Sequence, residues 1–200
     1  MAVPDATATG DLPPFHLVLP AGWRDRPATR ETLTSVRAEV SAAMKAAHRP
    51  DIDLQLRSLL AQAADRLDRA EPLRLYLQSG VPPERRLPLS LSVGRVRGST
   101  GRSLDSDIVR FVRDHAAAPL DEAAHIMRWI RHGSVDVPGG AVRTRSINYL
   151  IAVPGTERHQ ALLFTAVIPI AAGVELDGEM IGRLTLLADA IVATFQWGAR

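Results

Sequence analysis

The chain is expected to fold as an α+β domain, a largely antiparallel β-sheet with helices packed on it. Three observations predict this. Leu73, Leu75 and Leu77, and then Leu87, Leu89, Leu91 and Val93, alternate with polar or small residues, which is the period of half-buried strands. Ala141–Val153 and His159–Ile170 are long apolar runs separated by the tight turn Pro154-Gly155-Thr156, so they should pair antiparallel. Three further stretches carry apolar residues at steps of three and four, the spacing of one helical face.

Taken in order, Met1–Pro14 is small, polar and proline-bearing and reads as a disordered N-terminal tail. Residues 15–200 then form one domain, since 200 residues suit a single core and no linker composition follows residue 14. Phe15–Leu19 is a strand ended by Pro20 and Gly22, with Trp23 capping what it packs on. Thr29 caps a helix through about Ala47, with Leu33, Val36, Val40 and Met44 inside and Glu31 in the first turn, where a carboxylate favours the positive end of the helix dipole. Pro50 ends that helix. A second one carries Ile52, Leu56, Leu59, Leu60, Ala63 and Leu67 on one side, and the pair reads as a helical hairpin.

The two leucine-rich strands follow, with Pro88 at the start or on an edge of the second and Ser90 and Ser92 on its solvent side. Gly94–Ser103 reads as a glycine- and arginine-bearing loop, and Ser103 or Asp105 starts a short helix with Ile108, Val109, Phe111 and Val112 inside. Residues 121–136 fit either a helix or a strand. A short helical turn followed by a strand is the favoured reading. Pro138-Gly139-Gly140 is a hairpin turn. Gly173–Asp177 leads into a last helix whose Met180, Leu184, Leu187, Ile191 and Phe195 share a face.

Composition narrows the function classes. Hydrophobic content of 46% and charged content of 23% are ordinary for a globular protein. With no cysteine there is no disulfide, no thiolate metal site and no Cys nucleophile. Of 24 lysines and arginines only Lys45 is a lysine, which is the codon usage of a GC-rich genome, and a net charge of +2 supplies little of the long-range field that nucleic-acid binding uses. Nucleic acid is therefore not the expected partner. Met1–Leu12 has neither a basic nor an apolar signal region, and no run approaches the roughly 18 apolar residues of a membrane span. A cytoplasmic location is the expectation.

Motifs for chemistry are wanting. No G-x-S-x-G elbow, P-loop or G-x-G-x-x-G occurs. The six histidines show no metal-ligand spacing, and Asp105, Asp107, Asp121 and Glu122 each fit a helix N-terminus. No catalytic, metal or cofactor-binding residue is assigned. Two features suit a partner instead. Arg95, Arg97 and Arg102 stand among glycines that could present backbone N–H groups to an acidic group. Trp129, between Arg128 and Arg131, would mark an interface if exposed, whereas Trp23 and Trp197 read as core anchors where the chain ends meet.

Several segments together carry a family likeness. Phe15–Trp23, of the form F-x-L-x-L-P-x-x-W, resembles the opening strand and Trp of the PsbP-like αβα sandwich superfamily. Gly139–Arg143, Tyr149–Thr156 and Ala161–Pro169 resemble the meander of its actinobacterial members, and Ala188–Trp197 is similar to their last helix. That superfamily includes photosystem extrinsic proteins, Ran-binding import factors, bacterial lipoproteins and chaperone-adaptors of secretion systems. The chain departs from the lipoproteins in lacking a lipobox. The resemblance implies a non-enzymatic scaffold without cofactor that binds another protein as an adaptor, chaperone or accessory factor, including the kind that serves a bacterial secretion system. A homo-oligomer is compatible with it. The alternative is a small-molecule-binding protein or a hydrolase with a cleft between helices and sheet.

Overall fold

The computed structural model describes residues 12–46, 71–79, 81–82, 85–98, 103–122, 125–137, 140–170 and 177–198. In chain order the elements are β1 (Phe15–His16), β2 (Trp23–Pro27), α1 (Arg30–Ala46), β3 (Glu71–Gln78), β4 (Ser90–Arg97), α2 (Asp105–His115), β5 (Ala118–Pro119), β6 (Ile126–Val137), β7 (Gly140–Ala152), β8 (Gln160–Ile170), α3 (Gly178–Ala193) and β9 (Gln196–Trp197). Seven strands form one antiparallel sheet in the order β2-β3-β4-β8-β7-β6-β5, and β1 pairs separately with β9. The α+β class with a largely antiparallel sheet is thus observed. The second helix expected around residues 51–69 lies outside the described residues.

Strand register explains how the two faces differ. Tyr76, Leu91, Ala166, Ile147 and Ile130 lie in one row across five strands, and Val93, Phe164, Tyr149 and Arg128 lie in the next. These side chains share one face, where α3 buries Leu184, Ala188, Ile191 and Val192 against them. The opposite face carries the row Leu75, Ser92, Thr165, Asn148 and Trp129. There Trp129 and Leu150 form a second core with Leu104, and Ile108 and Phe111 of α2 pack on it. Helices therefore flank the sheet on both sides.

The chain ends close the first face. Leu12, Phe15, Leu17 and Leu19 pack on the core beside α3, and Phe15 meets Phe164, Phe195 and Trp197 at ring distances of 6.0, 5.9 and 6.1 Å. The Gly198 amide donates to Pro14 O at 2.6 Å, and Pro13 is buried, so residues 12–14, expected in the tail, pack on the domain. The expected strand over Phe15–Leu19 is shorter. It pairs only through His16, because the Val18 amide is taken by Thr194 Oγ1 at 2.8 Å. Trp23 opens a separate strand after a turn at Gly22, whose φ of +82° suits glycine.

Local chemistry sets the helix limits. Thr29 Oγ1 accepts from the Thr32 amide at 3.2 Å and caps α1. Asp177 Oδ1 accepts from the Met180 amide at 2.6 Å and caps α3. Asp177→Ala is expected to cost about 1 kcal/mol, the usual worth of an N-cap, read as a fall in the urea midpoint. A change within error would show that α3 is held by packing alone. In α2 the exposed side is larger than its apolar content predicts. Val109 and Val112 are 65% and 47% exposed, because only Ile108 and Phe111 face the sheet.

Candidate functional site

Four stretches meet at the end of the sheet where β7 turns into β8, and they enclose a cleft of ≈ 560 Å³. Leu104 and Ile108 come from the start of α2, Ile126 and Met127 from the start of β6, Leu150 and Ile151 from β7, and Phe195 and Trp197 from the chain end. The walls are apolar because all of these belong to, or border, the two cores flanking the sheet end.

The turn from Val153 to Gln160 shapes one side. Thr156 Oγ1 donates to Val153 O at 2.7 Å, and the His159 amide donates to Thr156 O at 2.8 Å. Glu157 and Arg158 take left-handed backbone conformations, φ 49° and 61°, so the chain reverses within a few residues. The freed carbonyls then hold neighbouring segments. Arg158 O accepts from the Leu104 amide and His159 O from the Gly98 amide, each at 2.9 Å. Both ends of the segment joining β4 to α2 are therefore anchored on this turn.

Polar groups stand at the rim. Arg158 pairs with Asp105 at 3.0 Å, and the Asp105 carboxyl is held below its usual range, first by that hydrogen bond and then by Ser103. Asp121 Oδ1 accepts from the Ile126 amide at 3.2 Å, while its Oδ2 lies 3.7 Å from His125 Nδ1. The polar groups thus engage one another around an apolar interior. Sequence spacing could not assemble them, since Asp121 and Arg158 come from elements joined only by the sheet.

The residues singled out from the sequence lie elsewhere. Gly94–Arg97 is not loop but the end of β4. Its pairing with β3 bends at a bulge near Pro72, and a Cβ on Gly94 would meet Glu71 O at 3.2 Å. Arg95 and Arg97 share one sheet face and both reach Glu71, at 3.6 and 3.1 Å. Arg95 is mostly buried, and its Nε has no hydrogen-bond acceptor. Arg102 lies outside the described residues. Trp129 is 4% exposed and stacks on Phe111 with ring centroids 4.5 Å apart. As a buried core residue it is not available to a partner, because α2 covers it. Residues 126–137 are strand, which settles the ambiguity there.

One partly buried polar cluster escaped the sequence analysis. Asp189 Oδ1 of α3 accepts from Arg128 Nε at 2.7 Å and from Tyr149 Oη at 2.8 Å. Burial, then the Asp189 bond and charge, push the Tyr149 phenol well above its ordinary range. Burial does the same to Tyr76. Neither tyrosine lines the cleft. Among the described residues no group of three histidines or carboxylates is placed to hold a metal ion, and no helix is long and apolar enough to cross a membrane. Compared with protein-family models, with curated proteins and with solved structures, the chain matches none.

Proposed function

We propose that this chain is a non-enzymatic protein-binding module, an adaptor, chaperone or accessory factor built on a PsbP-like αβα sandwich, and that the cleft at the sheet end seats apolar side chains of its partner. The observation that carries this is the division of the cleft into apolar walls and a rim whose polar groups engage one another, Arg158 paired with Asp105 and Asp121 accepting from the Ile126 amide. Such a site gains affinity by removing apolar surface from water. The groups whose ionisation the fold shifts most, Tyr76 and Tyr149, sit outside it, whereas catalytic clefts gather such groups. Cytoplasmic residence and service to a secretion system belong to the same proposal through the family likeness.

A second reading, a small-molecule carrier, is favoured by size. The ≈ 560 Å³ cleft falls within the roughly 300–1,000 Å³ of small-ligand sites. One experiment separates the two. Ala152 and Ala193 are exposed at the cleft, so Ala152→Trp or Ala193→Trp should fill it without disturbing the core. Tagged wild type is expected to retain one stoichiometric protein from its native host, and the variants to lose it at unchanged Tm. If no protein is retained but a small amphiphile raises Tm in wild type alone, the carrier reading stands. If the variants behave as wild type in both assays, the cleft is not the site.

A further inference from the structure

The rim of the cleft carries an excess of negative charge. Arg158 is the one arginine or lysine among the residues that line it, and Asp105 holds it at 3.0 Å. Of the charged residues next to lining residues in the chain, Asp107 is taken by Arg110 and Arg128 by Asp189, each at 2.7 Å. Three carboxylates remain. Asp121 lines the cleft, Glu122 follows it, and Glu157 precedes Arg158. Asp121 is engaged by the Ile126 amide and lies 3.7 Å from His125, while Glu122 and Glu157 are exposed. Among the described residues none of the three pairs with an arginine or lysine.

This excess is local, since the whole chain has a formal charge of +2 at pH 7. Arg95 and Arg97, at the end of β4, are turned to Glu71. The three carboxylates come from two stretches that the sheet brings together, the run into β6 and the turn between β7 and β8, which meet where Ile126 pairs with Ile151. Both stretches are held by their own hydrogen bonds, Asp121 on the Ile126 amide and the His159 amide on Thr156 O. The charges are thus fixed beside apolar walls. Charges of one sign on a cleft with low-dielectric walls focus the field there, drawing in the opposite charge and repelling their own.

We propose that the cleft takes a basic amphipathic helix of a partner protein, with large apolar side chains entering among Ile126, Leu150 and Trp197 and with lysines or arginines along its flanks answering Asp121, Glu122 and Glu157. This rests on the reading that the cleft seats apolar side chains of a partner, and it adds the charge of that partner. A helix suits both parts of the site. Its apolar residues at steps of three and four share one face, and charged residues border that face on either side. Apolar burial supplies affinity, and the rim selects the sign of the flanking charge. An acidic helix or an anionic amphiphile meets the same walls but an opposing rim.

The test uses the full chain and three probes, a peptide of about 18 residues with Leu and Lys at amphipathic helical spacing, the same peptide with every Lys replaced by Glu, and dodecylammonium. Calorimetry is expected to show binding of the Leu-Lys peptide, at least about tenfold weaker binding of the Leu-Glu peptide and of dodecylammonium, and loss of Leu-Lys binding in Ala193→Trp. Glu122→Gln/Glu157→Gln should weaken that binding roughly fivefold, the scale of two exposed charge pairs, and flatten its dependence on salt. Both glutamates are exposed, and an unchanged Tm of the variant confirms that the fold is intact. Equal binding of the two peptides, both lost in Ala193→Trp, would overturn the basic partner and leave the cleft as a protein site. Leu-Lys binding that survives Ala193→Trp, tighter binding of dodecylammonium, undiminished binding to the glutamine variant, or no binding of the Leu-Lys peptide to wild type would each overturn the proposal too. Failure of the reading beneath it shows separately, as retention of the native partner by Ala193→Trp.

Discussion

Trp129→Ala is expected to lower folding stability by about 3–5 kcal/mol, the range for truncating a large buried aromatic. Trp129 is 4% exposed, stacks on Phe111 at 4.5 Å, and shares its core with Leu104, Leu150 and Ala161. Removing the indole leaves a cavity that α2 can fill only by leaving its place over β6. Chemical denaturation should show the loss at an unchanged slope. Because Leu104 belongs to the same core and also lines the cleft, cleft binding should weaken in parallel. Phe111→Ala should reproduce the direction of the effect. A stability change below about 1 kcal/mol would mean that the indole is solvated, and would return Trp129 to the surface as a partner contact.

Asp189→Ala is expected to cost about 3 kcal/mol, because it strands two donors at once. Arg128 Nε and Tyr149 Oη both donate to Asp189 Oδ1, at 2.7 and 2.8 Å. Losing one member of a largely buried charged pair is destabilising mainly through the charge left behind. The side chains of Arg128 and Asp189 are 25% and 19% exposed, so water relieves part of that and the effect belongs at the low end of the range. The pH dependence has a definite sign. Burial first, and Asp189 second, raise the Tyr149 phenol above its unfolded value near 10. The neutral form is the one that folds, so this contribution is fully present below that value and is lost as pH rises above it. Asp189→Ala should bring phenolate formation at Tyr149 to lower pH in an ultraviolet titration. An unmoved titration together with an unmoved denaturation midpoint would show that Asp189 does not hold α3 on the sheet.

Much of the architecture was legible in local pattern. The alternation of Leu73–Gln78 and Leu87–Val93, the turn at Pro154-Gly155-Thr156 and the cap at Thr29 each reflect short-range physics, and each is found within a few residues of its expected place. Limits were harder to read where a distant partner decides them. Gly94–Arg97 carries glycine and two arginines and reads as loop, yet it pairs with Leu163–Gln160 on one side and with Glu71 and Pro72 on the other. Two ladders outweigh the weak strand propensity of one glycine. The run from His125 to Asp136 was ambiguous for a similar reason, since its strand character comes from continuous pairing with β7.

Period, turn chemistry and apolar content were enough to give the α+β class, the antiparallel meander, the Thr29 cap of α1 and the meeting of the two chain ends. The pairing of Arg128 and Tyr149 with Asp189, the burial of Trp129 and the cleft at the sheet end came only with the folded arrangement. Each of these depends on residues brought together from distant parts of the chain. Register and helix placement fix such encounters, and no spacing along the chain encodes them.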